Sequence, residues 1–313
     1  MVAVIRAGPR RSPGRRVAPA DRRGRTGPTA SSRRTAVVLL LLGAGSVAAS
    51  DGNDSSFQAW NMIDHGLHVR EFVSPPGGSV GKTKTTVVRV DTVRYGFRLL
   101  CCSERGCRPM SAGEWCRRFG LAAAVNAGMF QVDSVRGVGY MKCGEHVNNR
   151  YVREDYNAAF AFDPRVPTLP SVKLIDTECD DFLELRLLYG SVFQSIRMIS
   201  CRGTNVWSKQ EARWSMCVVG VDSTGNVLLI FSRAPNTAHD FIEILLALPL
   251  GITRAMYLEG GAPASLYLST KGVTLERNGI DRARPGTQAD TTSPAALPNV
   301  LGVVHRDTAG RGP

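Results

Sequence analysis

Met216-Cys217-Val218-Val219-Gly220-Val221 and Val227-Leu228-Leu229-Ile230-Phe231, separated by Asp222-Ser223-Thr224-Gly225-Asn226, decide the reading of this chain. Two apolar runs around a short polar loop containing Gly predict a β-hairpin. Just downstream, Thr237 with Asp240 three residues later suits a helix start. Phe241, Ile242, Leu245, Leu246 and Leu248 then form an apolar stripe that Pro249 ends.

Further out, Thr86–Asp91 and Phe97–Cys102 read as strands, while Leu67–Phe72 alternates imperfectly and Pro75-Pro76-Gly77-Gly78 reads as a loop. Ser111-Ala112-Gly113-Glu114 is a capping-box pattern, so a short helix carrying Trp115 and Phe119 is predicted to lead into a strand at Leu121–Val125. Asp51–Ser56 reads as a polar tail and Arg282–Ala296 as a long loop. Asn299–Val304 returns as a strand, which implies one domain over residues 51–313 whose C-terminus re-enters the sheet. Strands dominate, and the two or three helices do not alternate regularly with them. The expected class is therefore α+β around a mixed or antiparallel sheet.

The first 50 residues differ in kind from the rest. Ten Arg and one Asp give them +9 of the chain's +12, leaving only +3 on the other 263 residues. The basic balance is thus a property of the N-terminus and poor evidence for a nucleic-acid-binding surface on the folded part, for which no nucleic-acid partner is expected. Ala36–Leu42 is apolar and Gly43–Ser50 is built from small residues, so residues 1–50 have the positive, apolar, small order of an export signal with cleavage near Ala49 or Ser50. Ser32-Arg33-Arg34 is compatible with a twin-arginine route. The apolar core is well short of the ~20 residues that span a bilayer, so no stable membrane insertion is expected after cleavage. The expected location is outside the cytosol.

Eight cysteines, Cys101, Cys102, Cys107, Cys116, Cys143, Cys179, Cys201 and Cys217, fit an oxidising compartment, and an even count implies disulfides. Eight cysteines permit about 105 complete pairings, among which sequence does not choose. Cys217, inside an apolar run, reads equally as a buried free thiol. The Cys/His spacings match no zinc site, and the chain has no P-loop, serine-hydrolase elbow or dinucleotide glycine pattern. Neither cofactor nor metal is expected.

Polar groups gather at the ends of three candidate strands: Asn126-Ala127-Gly128, Arg213-Trp214-Ser215 and Glu259-Gly260-Gly261. Convergence of the three would make one pocket. Glu259 is the candidate general acid/base or nucleophile, against a solvated turn carboxylate. Arg213 is the candidate phosphate contact, against a surface ion pair. Asn126 reads either as a hydrogen-bonding partner for a sugar hydroxyl or phosphate oxygen, or as a turn residue. Gly128, Gly260 and Gly261 would let the backbone approach a ligand closely. Arg197, charged within the apolar Ile196-Arg197-Met198-Ile199, is a second anion contact or half of a structural ion pair. His239 is a secondary candidate. Asp133, Glu145 and Asp240 are unranked candidates for a second carboxylate.

Ala123-Ala124-Val125-Asn126-Ala127-Gly128-Met129-Phe130, followed by Gly137-Val138-Gly139-Tyr140-Met141, resembles the Asn-Ala/Gly-Gly-Phe-Phe and later Gly-Leu segments of the phosphodiester glycosidase family. Arg213 with Cys217-Val218-Val219-Gly220-Val221 resembles that family's Arg-Thr-Ala-Ile-Gly segment. Tyr257-Leu258-Glu259-Gly260-Gly261 stands where the family has Leu-Asp-Gly-Gly-Gly-Ser. The three motifs keep family order, and the resemblance runs from roughly Trp60 to Val304. The chain departs from the pattern in having Glu259 for the Asp, Ala262 for the third Gly and Pro263 for the Ser; Ser265 follows two positions later. The resemblance implies cleavage of a glycosyl phosphodiester, with a carbohydrate or sugar-phosphate as substrate. A rival expectation is a catalytically silent glycan-binding protein that keeps the pocket.

Overall fold

The hairpin around Asp222–Asn226 stands at the middle of the largest sheet. The computed structural model describes residues 59–74, 83–280 and 293–306. The expected export signal, the Asp51–Ser56 tail, the Pro75–Gly78 loop and most of the Arg282–Ala296 loop lie outside them. The largest sheet orders β1 (Asn61–Asp64), β2 (Leu67–Ser74), β3 (Thr83–Val90), β13 (Val227–Asn236), β12 (Trp214–Asp222), β14 (Ile252–Gly260) and β11 (Arg197–Ile199). A second orders β7 (His146–Asn149), β6 (Met141–Cys143), β10 (Tyr189–Ser195), β8 (Ala158–Pro164) and β9 (Val172–Asp176). A third orders β16 (Val273–Asn278), β15 (Ser265–Thr270), β5 (Ala123–Asn126), β17 (Asn299–His305) and β4 (Tyr95–Cys101).

The α+β expectation is corrected by this architecture. All three sheets are antiparallel, and among the described residues only four short helices accompany them: α1 (Cys102–Arg105), α2 (Ala112–Phe119), α3 (Phe182–Leu188) and α4 (Ala238–Ala247). The protein is mostly β. The two strongest helix signals formed as expected, with the Ser111/Glu114 capping box closed on α2 and the Thr237 side chain accepting from Asp240 N–H on α4. The excess strands come from segments without clean alternation. Ala158–Phe162 is buried at every position, and His146–Asn149 is short and polar, so neither carries a period of two.

Alternation in the central hairpin places its two faces. Cys217, Val219, Val227, Leu229 and Phe231 point into the main core shared with the two smaller sheets. Met216, Val218, Leu228 and Ile230 point the other way, under Phe241, Ile242 and Leu245 of α4. Burying both faces explains why these runs are continuously apolar in the sequence. The hairpin loop is closed by the Asp222 carboxylate, which accepts from the backbone N–H groups of Thr224 and Asn226 at 2.9 and 3.0 Å. The C-terminus re-enters a sheet as expected, with β17 between β5 and β4.

Candidate active site

Glu259 owes its position to a slip in the β12–β14 ladder. Val218 pairs with Tyr257, but Cys217, one residue back, pairs with Glu259, so Tyr257-Leu258-Glu259 spans a single step of β12. Such a bulge re-aims the side chain that follows it. Strict alternation would have continued the Ala255, Tyr257 face under α4; instead Glu259 stands opposite Cys217. Its side chain is half-buried, and burial of the carboxyl pushes it up to about 8, while the Gly260 N–H donating to Oε1 at 2.9 Å acts the other way. Among the described residues no ion pair reaches it. The same buried negative charge helps raise the Tyr257, Tyr156 and Cys217 groups above their ordinary values, after burial itself.

The turn after Glu259 is held from β5. Asn126 is buried, its Nδ2 donates to the Pro263 carbonyl at 2.8 Å, and its Oδ1 accepts from Ser265 N–H at 2.8 Å. Both ends of the amide are therefore occupied in bracing the turn. Gly261 has φ of +70°, and its N–H donates to the Ser215 carbonyl at 3.0 Å. Gly260 is needed for a different reason, since a Cβ there would land on the Tyr257 hydroxyl and the Trp214 indole. The close approach that the Gly-Gly pair permits is made here by the protein's own aromatic side chains.

Tyr156 completes this lining from the second sheet. Gln194 holds its loop: Oε1 accepts from Arg153 N–H at 3.1 Å, and Nε2 donates to the Arg153 and Tyr156 carbonyls at 3.2 and 3.1 Å. The Tyr156 hydroxyl meets Met129 Sδ at 3.8 Å. Gly128 sits at φ +75°, which turns the chain after β5 toward Met129. A Cβ on Gly139 would meet the Tyr156 ring at 2.9 Å. Gly139 belongs to the Gly137-Val138-Gly139 segment, but nothing in the sequence marks Tyr156 as its neighbour; only the fold brings the two together.

Arg213 and His239 meet at Asp240. Arg213 Nη1 lies 3.7 Å from Asp240 Oδ2, and His239 Nδ1 lies 3.5 Å from Asp240 Oδ1, at the start of α4. This group adjoins the Glu259 group through the chain itself, because Trp214 lies against Gly260 and Ser215 binds Gly261. Arg197 is elsewhere: its guanidinium is enclosed by Asp176 and Glu178, beside the Cys179–Cys201 disulfide. Asp133 pairs with Arg136, and Glu145 with Arg165, both on the surface. A cleft of about 450 Å³ lined by Trp60, His68 and Arg89 shares no residue with either group.

The comparisons bear on all of these segments. By sequence, no curated protein matches the chain. In three dimensions it is similar to the catalytic domain of zebrafish N-acetylglucosamine-1-phosphodiester α-N-acetylglucosaminidase, auto-inhibited by its pro-peptide. The TM-score is 0.56 at 14% identity, covering 79% of this chain and 86% of that one. It is also similar to a hypothetical protein from Synechocystis, with a TM-score of 0.55 at 15% identity, covering 77% of this chain and 62% of that one. At these identities the likeness is one of fold. The family model for phosphodiester glycosidases matches residues 119–304. That span is more than half of the chain and contains Asn126, Tyr156, Trp214, Tyr257 and Glu259, and on it the chain belongs to the phosphodiester glycosidase family.

Proposed function

We propose that this protein is an exported hydrolase that cleaves a glycosyl phosphodiester, with Glu259 as the proton donor and Arg213 as the contact for the phosphate. The observation that carries the reading is the Glu259 carboxyl, half-buried, with no cation beside it among the described residues, and pushed up to about 8. At neutral pH such a group is uncharged. It can approach an anionic phosphodiester without repulsion and has a proton to give. As the bond between the anomeric carbon and the bridging oxygen breaks, Glu259 delivers its proton to that oxygen. Water adds to the sugar, and its proton returns to the carboxylate. A phosphate is already a weakly basic leaving group, so one acid serves where ordinary glycosides use two carboxylates.

Arg213 supports the reading by its place beside Trp214 and at the start of α4, where its guanidinium lies 3.7 Å from the Asp240 carboxylate. A guanidinium so placed can take a phosphate in a bidentate grip. Tyr156, Trp214 and Tyr257 are buried around the strand end that carries Glu259 and hold it in place. Export is inferred from the basic, apolar, small-residue order of residues 1–50.

The test is release of free sugar and phosphomonoester from a panel of glycosyl-1-phosphodiesters, with Glu259→Gln and Arg213→Ala beside the wild type. Turnover that is lost in the first variant and weakened in binding in the second is the expected result. Binding without release across the whole panel would replace the hydrolase with a glycan-binding protein. N-terminal sequencing of secreted material tests the export signal, and an intact Met1 would remove it.

A further inference from the structure

Cys102 and Cys107 bring their sulfurs together on one tight turn. Cys102 is the first residue of α1 and is buried; Cys107 is half-buried and lies just after Gly106, which takes the left-handed conformation at φ +57°. The Cys107 N–H donates to the Cys102 carbonyl at 3.2 Å, which folds the chain back on itself and sets Cys107 Sγ 2.7 Å from Cys102 Sγ. A disulfide bond is about 2.05 Å long, so closure needs a movement of well under an ångström. Three of the four other free thiols are engaged differently: Cys101 Sγ points to Met141 Sδ at 3.7 Å, Cys143 Sγ to the Leu99 carbonyl at 2.7 Å and Cys217 Sγ to the Ser265 carbonyl at 3.5 Å, while the fourth, Cys116, is buried in the same apolar cluster as Cys102.

We propose that Cys102 and Cys107 are a redox pair that closes an intrachain disulfide when the protein meets a disulfide oxidant such as oxidised glutathione, in addition to the Cys179–Cys201 bond. Cys107, the more accessible sulfur, attacks one sulfur of glutathione disulfide as its thiolate. A mixed disulfide forms and one glutathione thiolate leaves. Cys102 sulfur then attacks Cys107 Sγ, and the second glutathione thiolate leaves. The pair loses two electrons, glutathione disulfide gains them, and the two cysteine protons pass to the two glutathione thiolates. Burial, and then the neighbouring Cys107 sulfur, push the Cys102 thiol up to about 12, in keeping with Cys107 as the attacking sulfur.

Closure fixes the turn that carries Ser103. The Ser103 hydroxyl accepts from Asn148 Nδ2 at 2.8 Å and lies 2.9 Å from His146 Nε2, and Asn148 Oδ1 accepts from Gly137 N–H at 2.7 Å. The bond therefore pins the β6–β7 hairpin and the segment around Gly137 to the end of β4.

The full chain, equilibrated in glutathione buffers from reducing to oxidising, is alkylated, digested with trypsin and mapped by mass spectrometry. Arg105 lies between the two cysteines, so trypsin separates them unless a disulfide joins the fragments. The expected product under oxidising buffer is a cross-linked pair of peptides that falls apart on reduction. Cys101→Ser and Cys116→Ser, which alter the other cysteine in each fragment, leave the cross-link in place, and Cys107→Ser abolishes it. Alkylation of both Cys102 and Cys107 in buffer that keeps Cys179–Cys201 closed overturns the proposal. So does a glutathione adduct on Cys107 that never resolves, or pairing of either sulfur with another cysteine.

Discussion

Cys217 and Glu259 face each other across the β12–β14 ladder, so a buried thiol, and no cation, is the cross-strand neighbour of the carboxyl. Neither group relieves the other. Burial raises both above their ordinary values, and the negative charge of Glu259 raises the thiol further. The pair keeps a protonated acid at the end of a rigid strand.

This arrangement sets a pH dependence of stability. The folded-state value of Glu259, about 8, is above its ordinary 4.5. Between those two values the native state holds a proton that the unfolded chain has released, so stability falls as pH rises through that window and is unaffected outside it. Glu259→Gln removes the dependence. Urea unfolding at about pH 5 and about pH 9 should show the variant gaining on the wild type, with the larger gain at the higher pH. An equal difference at both would contradict the burial argument.

The pH–rate profile follows from the same group with the opposite concern. A proton donor works below its pKa, so kcat should fall on the alkaline side with an apparent value of about 8. Glu259→Gln should lower kcat by about 10²- to 10⁴-fold and flatten that limb. A wild-type rate that rises through the same pH would assign the ionised form to the reaction and make Glu259 a nucleophile.

Gly260→Ala places a methyl group on the Tyr257 hydroxyl and the Trp214 indole. Overpacking of this kind costs about 1–3 kcal/mol, and here it also displaces the rings beside Glu259. Thermal unfolding and turnover should both decline. Adding Tyr257→Phe should recover part of the stability and no more, because the indole remains in the way.

Arg197 and Arg213 should separate cleanly. Removing Arg197 leaves Asp176, which is fully buried, without its guanidinium, at a cost of about 3–5 kcal/mol. The Arg197→Ala protein that remains folded should keep its KM. Arg213 pairs with the half-exposed Asp240, so Arg213→Ala should change stability by less than about 1 kcal/mol while raising KM for a phosphodiester. The reverse pattern, measured by unfolding and steady-state kinetics, would exchange the two roles.

Asn126→Ala leaves the Pro263 carbonyl and the Ser265 N–H without their partner, at about 1–3 kcal/mol for each buried group left unmet. Asn126→Asp retains the acceptor for Ser265 and loses only the donor to Pro263. The aspartate variant should therefore unfold between wild type and alanine, and turnover should follow the same order as the turn loosens.

Local chemistry was enough to find the hairpin, both capped helices and the returning strand at Asn299, because caps, turns and apolar runs act over a few residues. It also made Glu259 and Gly260 candidates. The class came out too helical because β8 is apolar at every position and β7 is short and polar, and neither shows the period by which strands are read.

What the chain order alone left open was settled by pairing between distant segments. The bulge that sets Glu259 opposite Cys217 exists only in the register of β12 on β14. Asn126 is spent on a turn 137 residues away, and Arg197 on acids about 20 residues upstream. Tyr156 reaches the same lining because Gln194, on another strand, holds its loop. Burial is a property of the assembled sheets, so the shift that keeps the Glu259 carboxyl protonated near neutral pH could arise only there.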